Sequence, residues 1–490
     1  MSAALLILTA ASLASTAPRP AYGGEVTTSF VGESPSLDPT QVRSLAALSV
    51  SAALFERLFR VEADGSITPE LASGLPVARG SQAIIPIRRN VRLHDGRLLE
   101  PEDVARALRA FKTAGFGAEH LVLPIEGART TAPLSVTVLA DELAIAVRLT
   151  HPYDLTRLWA RGESAIAVPR SGPGPTPVGT GPFRVAEPPG DTALTLVPFT
   201  GHRRGRPFFD RWVVRAVGST FATGELLRPG RGAIAFDPVE PEVASRMRAL
   251  DGRAGAPPLD LFYLAVGRAR PELTTTALLR SMEAVIDRDR LVRRYVRGRA
   301  RSARSITGLD PEAGLPPLRS SARARVTATL LLADQSGPER RFAERLQLDL
   351  LRAGVTATLK LLDDRELRRR QRSGDFDLLL GRFFLEGEVR DDALHHLHGL
   401  LAFAASLGRG ATAVSAEELA RFGAPTPAQE EELRRLVLSI DRRLRDDALV
   451  VPLVHQLPSA YVGGAVIGVE ADARGAVLLE NGLEAEERSP

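Results

Sequence analysis

Between Ala324 and Phe384 the chain alternates between two hydrophobic patterns, and this restricts its possible folds more than any other feature. Ala324–Leu332, Val355–Leu361 and Phe376–Phe384 read as strands, and Glu339–Ala353 and Asp363–Ser373 between them read as helices. Each helix must carry the chain back to the same end of the sheet. The strands therefore lie parallel and are covered on both faces. Leu261–Gly267 is a continuous apolar strand, Thr275–Leu291 and Gln429–Asp447 read as helical, and Ala448–His455 as a strand. The fold class is α/β.

In the first part of the chain, Glu25–Phe30 alternates as a short strand and Ser34–Pro39 is a turn-rich loop. Leu45–Phe59 has the spacing of a helix with one buried face. Ile87–Val104 is extended through Val91 and Leu93, turns at Asp95-Gly96, and opens a helix over Arg97–Phe111. Within it Glu100-Pro101-Glu102-Asp103 places a proline where the missing N–H costs nothing, and acids at the positive helix end. Leu134–Leu139 and Leu143–Leu149 flank Ala140-Asp141-Glu142 as a hairpin. Ser171–Val185 is crowded with Gly and Pro, the mark of a linker or rigid turn. No Lys-Ser or Lys-Thr pair follows to make it a phosphate cradle.

With 490 residues, 44% of them hydrophobic and 25% charged, the chain has material for two to four domains. The net charge of +4 arises from 63 basic and 59 acidic residues interleaved along the chain, which argues against a nucleic-acid partner. Lysine stands only at Lys112 and Lys360, the arginine bias of a G+C-rich genome. The absence of cysteine excludes disulfides, thiol chemistry, thiolate metal sites and a lipidated N-terminal cysteine. Leu5–Leu13 is an apolar run leading to a small-residue cleavage pattern at Ala21-Tyr22-Gly23. Residues 1–23 therefore read as a secretory signal peptide, although no Lys or Arg precedes the run.

Several segments together resemble one family. Leu58-Phe59-Arg60 through Gly74-Leu75-Pro76, the His94-Asp95-Gly96 turn with Glu102-Asp103-Val104, and Leu37-Asp38-Pro39 are in its order. So are Val178-Gly179-Thr180-Gly181-Pro182-Phe183, His202–Arg215, Gly230–Asp237, Ala284–Val292 and Ala448–His455. The chain resembles the peptide/nickel class of extracellular solute-binding proteins (family 5), the capture subunits of ABC importers. The resemblance implies a two-lobe periplasmic-binding-protein-like fold of class II type with a small domain inserted in the first lobe. Lobe one would comprise residues 24–50, 178–258 and 458–490, the inserted domain 51–177 and lobe two 259–457. It further implies a periplasmic monomer that takes a peptide or similar small solute and delivers it to an ABC permease, with no catalysis, cofactor or metal. A scaffold or sensor that has lost its transport ligand is the alternative.

Under this resemblance an aspartate after the Phe376–Phe384 strand pairs with a ligand cation, a role that falls to Asp391 or Asp392 in the cluster with Glu386 and Glu388; an ordinary solvated loop is the default reading of that acidic cluster. The family's Trp and Pro are absent there. Phe30, Tyr263, Phe383, Phe384 and His455 are the candidate cleft walls, with a place in the core as the default reading for each. Gly267 replaces a family Asn, which favours an atypical ligand or lost binding. His395, His396 and His398 are read as solvated imidazoles on an exposed helix, with a transition-metal site as the competing possibility. Arg365, Arg368, Arg369, Arg370 and Arg372 are read as a solvated helix face.

Overall fold

The computed structural model describes residues 22–484, apart from 32–33, 63, 115–117, 170–176, 187–192, 218–222, 224–231, 238, 240, 251–258, 269, 297–298, 310–324, 334–337, 388–392, 409–413, 423–425, 448 and 465. Two large sheets organise it. The first has seven strands in the order Arg248–Leu250, Ala460–Val462, Gly232–Phe236, Glu25–Val31, Arg211–Val217, Ala193–Pro198, Phe183–Val185. Its central Glu25–Val31 strand is parallel to both neighbours, and the other pairs are antiparallel. The Thr28 hydroxyl that this strand buries accepts from the Trp212 indole Nε1 at 2.8 Å.

The second sheet has six strands in the order Arg299–Ser302, Val450–Leu457, Leu259–Val266, Leu378–Leu385, Val326–Ala333, Val355–Leu362. The last three are parallel, as the alternation requires. Leu259–Val266 is antiparallel to both of its neighbours, so the sheet is mixed. One face, with Phe262, Leu264, Leu330 and Leu380, packs on helices that include Pro338–Arg352. The other, with Leu261, Tyr263 and Leu379, packs on the Ala393–Ser406 helix. A four-stranded antiparallel sheet, Val77–Arg79, Gln82–Pro86, Ala144–Arg148, Val136–Leu139, carries the expected hairpin and is covered by the Pro101–Phe111 helix. That helix has the capping box anticipated at its start, with Glu100 and Asp103 exchanging side chain-to-backbone bonds. Among the described residues no helix is long and apolar enough to cross a membrane.

Some elements are shorter than the pattern implies. The first helix covers Leu45–Leu54 only, because the Glu70 carboxylate then captures Arg57 N (2.9 Å) and Arg57 Nε (3.2 Å). Thr275–Leu291 is broken into Thr276–Val285 and Arg288–Tyr295, since Asp287 leaves helical geometry to accept from Arg290 N as an N-cap. Val91 and Leu93 are buried, as the alternation suggests, but only a bridge between Arg92 and Leu98 pairs here.

Two of the sequence motifs meet in space. His94 N donates to Gly179 O (2.9 Å), and Gly179 N donates to His94 Nδ1 (3.3 Å). Because Nδ1 accepts, Nε2 carries the proton and donates to Gly181 O at 3.1 Å. Burial pulls the ring down to about 4, which keeps it in this neutral form. A Cβ at Gly179 would stand 2.1 Å from Leu54 O, and one at Gly181 2.4 Å from Ala53 O. The His-Asp-Gly turn thus clamps a loop that only glycine lets approach the first helix.

Candidate functional site

A cavity of about 840 Å³ lies where the two large sheets face each other. The first sheet supplies Phe30, Val31, Phe236 and Asp237 from the carboxyl ends of its parallel strands, together with the Ser34–Ser36 loop, Arg43 and the start of the Leu45–Leu54 helix. The second supplies Asp260 and Phe262, Leu332 and Ala333, and Leu380–Arg382. The Asp364–Ser373 helix adds Arg365, Leu367, Arg368 and Gln371. Carboxyl ends of parallel strands are where open α/β sheets bind ligands, and the volume is that of a small-molecule site.

The backbone around the cavity is fixed by its own acids. Asp38 of the Leu-Asp-Pro motif accepts from Thr40 N (2.9 Å) and Gln41 Nε2 (3.0 Å), closing the turn that delivers Arg43. Ser44 accepts from Ala47 N and starts the following helix. Burial brings the Arg43 guanidinium down to about 10, opposed by Tyr263 and Asp38. Across the cavity Arg382 forms an ion pair with Asp260 and lies over the Phe262 ring. Burial raises the Asp260 carboxyl, and Arg382 opposes that rise. Burial likewise lifts Asp237 to about 6, against the hydrogen bond that Ser459 N donates to its Oδ2 at 2.9 Å.

Of the expected wall residues, Phe30 lines the cavity. Tyr263, Phe383, Phe384 and His455 are not among its lining residues. Tyr263 is fully buried under Gly381 and edge-on to Phe403 at 5.1 Å. Phe383 meets the same ring at 5.2 Å on the face turned to the Ala393–Ser406 helix. Phe384 packs into the core of the first sheet. His455 is buried with Nε2 on Ile306 O at 3.1 Å, and burial holds it near 4. Asp391 and Asp392 lie outside the described residues, as does Glu388.

Three readings of the sequence are corrected. Glu386 is not a solvated loop acid: both its oxygens accept from Gly162 N (3.0 and 2.9 Å), and Arg474 stands 3.5 Å away. Burial and the adjacent Glu163 raise it to about 7, while Arg161 and His120 help to hold Glu163 low despite its burial. The helix bearing His395 and His398 is buried, because the second sheet needs cover on that face. His398 bonds Tyr153 Oη at 2.9 Å. No group of three metal-ligating side chains occurs among the described residues. Finally, Arg365 and Arg368 face the cavity, whereas Arg369 and Arg370 pair with Glu366 at 2.7 Å.

Gly267 is explained by packing. A Cβ there would fall 1.5 Å from Phe376 O, and Gly267 N donates to Asp377 O at 2.8 Å, so the closing backbone admits no side chain. The residue stands at the opposite end of its strand from Asp260 and is not part of the cavity lining.

No curated protein matches the chain. Solved structures match it closely in shape. The murein tripeptide binding protein MppA of Escherichia coli is 15% identical with a TM-score of 0.75, covering 94% of this chain and 99% of its own. An oligopeptide-binding protein, AppA, from Bacillus subtilis in complex with a nonapeptide is 14% identical at 0.70, covering 96% and 100%. OppA of Haemophilus influenzae is 13% identical at 0.74, covering 95% and 99%. The two-lobe periplasmic-binding-protein-like fold is therefore shared. The profile described as bacterial extracellular solute-binding proteins, family 5 middle, matches residues 66–397, and the chain belongs to this family.

Proposed function

We propose that the chain captures a peptide or similarly sized solute between its two sheets and hands it to an ABC permease. The observation that carries this is the cavity of about 840 Å³, lined from both sheets by strand ends and by the Asp364–Ser373 helix. Three apolar rings, Phe30, Phe236 and Phe262, supply its walls, and backbone and charged groups supply its polar contacts. Capture is a population shift toward a closed arrangement, with no bond made or broken.

Lobe one is taken as 24–50, 178–258 and 458–490, with 51–177 inserted and 259–457 as lobe two. The strands of the first large sheet come from the first set and all those of the second from the last. A monomer exported to the periplasm by residues 1–23 fits this role. The scaffold alternative rests on Gly267, whose packing accounts for it, and on the departures around Asp391, which lies outside the described residues.

Native mass spectrometry of protein purified from its own periplasm, followed by thermal shift against short peptides, sugars and nickel complexes, tests the reading. A co-purifying small molecule that raises the unfolding midpoint is the expected result. An empty protein that no such solute stabilises overturns it.

A further inference from the structure

We infer that a buried carboxyl pair, Glu386 of lobe two and Glu163 of the inserted domain, latches those two parts together, and that ionising both acids releases the latch. The inference takes the lobe boundaries proposed above and stands whether or not the cavity takes a peptide.

The inserted domain meets lobe two through the Ala393–Ser406 helix and the loops at its ends. One apolar core joins them, in which Leu121 and Trp159 stand with Leu394, Leu397 and Leu401. Beside the crossing at 258–259, where Leu385 pairs with Leu259, both Glu386 oxygens accept from Gly162 N at 3.0 and 2.9 Å. Along the helix Tyr153 Oη and His398 Nε2 stand 2.9 Å apart. Beyond its end Arg129 donates to Val414 O at 3.0 Å, and Arg372 pairs with Glu119 at 3.3 Å. Of these contacts the one at Glu386 depends on where a proton sits.

Ionisable groups from several elements surround Glu386. Glu163 is hydrogen-bonded to it and accepts from Arg161 Nε at 2.7 Å, with His120 Nε2 3.4 Å from the same oxygen. The C-terminal turn brings Arg474, bonded to Asp472 at 2.9 Å, and Arg57, paired with Glu70, acts on both Glu386 and Arg474. His398 lies near Glu163 and burial keeps it neutral. Two acids buried side by side share one proton more readily than they hold two charges. Burial and Glu163 raise Glu386 to about 7, against Arg474 and Arg161, so Glu386 keeps the proton and bridges to ionised Glu163.

Opening separates Glu386 from Gly162, Glu163 and Arg474 and returns it to water, where its ordinary value is 4.5. Its contribution to the closed arrangement is therefore complete below about pH 4.5 and is lost as pH rises through about 7. Glu163, held low, works in the opposite sense, and its contribution is already complete at pH 6. Between pH 6 and pH 8 only the loss at Glu386 counts, and opening becomes roughly tenfold more frequent.

The chain has no cysteine, so a single introduced thiol reports the opening. Ala118→Cys places it in the Ala118–Val122 turn that packs on the Ala393–Ser406 helix, and Ala343→Cys, in the other core of lobe two, is the control; both positions are buried. Labelling rates are divided by that of a free peptide thiol at the same pH. At Ala118→Cys the corrected rate should be roughly tenfold higher at pH 8 than at pH 6, and at Ala343→Cys it should not change. Adding Glu386→Gln, which stays neutral, should abolish the rise. Glu163→Gln, which removes the neighbouring charge, should abolish it as well, and an unchanged Ala343→Cys rate shows that each variant is folded.

Equal corrected rates at the two pH values in the chain with both acids intact overturn the latch. A rise shared by both thiols is general loosening and overturns it too. A rise that survives Glu386→Gln belongs to another group, His120 included, and overturns the assignment to the carboxyl pair. None of these outcomes bears on capture, which the solute experiments above decide.

Discussion

Gly181→Ala tests the lock between the His-Asp-Gly turn and the glycine loop. The new Cβ would lie 2.4 Å from Ala53 O and 2.6 Å from Leu54 C, both backbone atoms at the end of the Leu45–Leu54 helix. That helix end cannot give easily, because Phe55 N is bonded to Ser51 O at 2.8 Å. The loop must therefore retreat, and two hydrogen bonds stretch: Gly181 N to Leu54 O (3.0 Å) and the His94 ring to Gly181 O (3.1 Å). Each contributes about 0.5–1.5 kcal/mol, and overpacking of this kind costs about 1–3 kcal/mol. The expected loss is about 2–6 kcal/mol. Urea unfolding followed by the emission of buried Trp159 and Trp212 measures it, with the transition that loses Trp212 taken for the first sheet. Gly74→Ala is the control, since its Cβ would meet only Pro86 Cγ at 3.5 Å. A Gly181→Ala protein within about 1 kcal/mol of wild type, or no worse than the control, refutes the packing argument.

Asp237 should make stability depend on pH. Burial raises its carboxyl from 3.8 to about 6, so the folded state holds the proton more tightly than the unfolded chain. Its favourable contribution is complete below about pH 4 and is lost as pH rises through about 6. Asp237→Asn should therefore match wild type near pH 4 and exceed it at pH 7.5, by up to about 3 kcal/mol in denaturant unfolding. Tyr153→Phe and His398→Leu should each cost about 1–3 kcal/mol by stranding the partner of the buried 2.9 Å bond. The double variant should cost less than the sum, and additivity in the cycle contradicts the pairing. Replacing Arg474 by Leu removes the guanidinium 3.5 Å from buried Glu386, and should lower stability by about 3–5 kcal/mol in the same unfolding assay.

Much of the fold was legible because local chemistry and global topology agree along most of this chain. The alternation over 324–384 places three strands in parallel without reference to anything else, and the Glu100–Asp103 start is a capping box whatever packs on it. Where the reading slipped, a distant residue intervened. Glu70 ends the helix at Leu54 by taking Arg57, thirteen residues away in sequence, and no window over 45–59 contains that carboxylate. The histidine helix is buried for a similar reason. Its alternating His and Leu resembles an exposed face, but sheet cover and Tyr153, 245 residues earlier, make the interior polar enough for His398.

The site was less legible because a cleft is assembled from ends of elements, and hydrophobic patterning reports their middles. Aromatic residues on central strands drew attention as walls, yet alternation turns Tyr263 and Phe383 toward the Phe403 side, and Phe262 one position away meets the cavity. In the arginine run the deciding signal was Glu366. An acid at position i draws its partners at i+3 and i+4, Arg369 and Arg370, to one side of the helix, and that leaves Arg365 and Arg368 to define another. Read that way, the run separates into a half that Glu366 gathers and a half that lines the cavity. Which arginines of such a run line a cleft is then set by where the helix's own acid gathers the others.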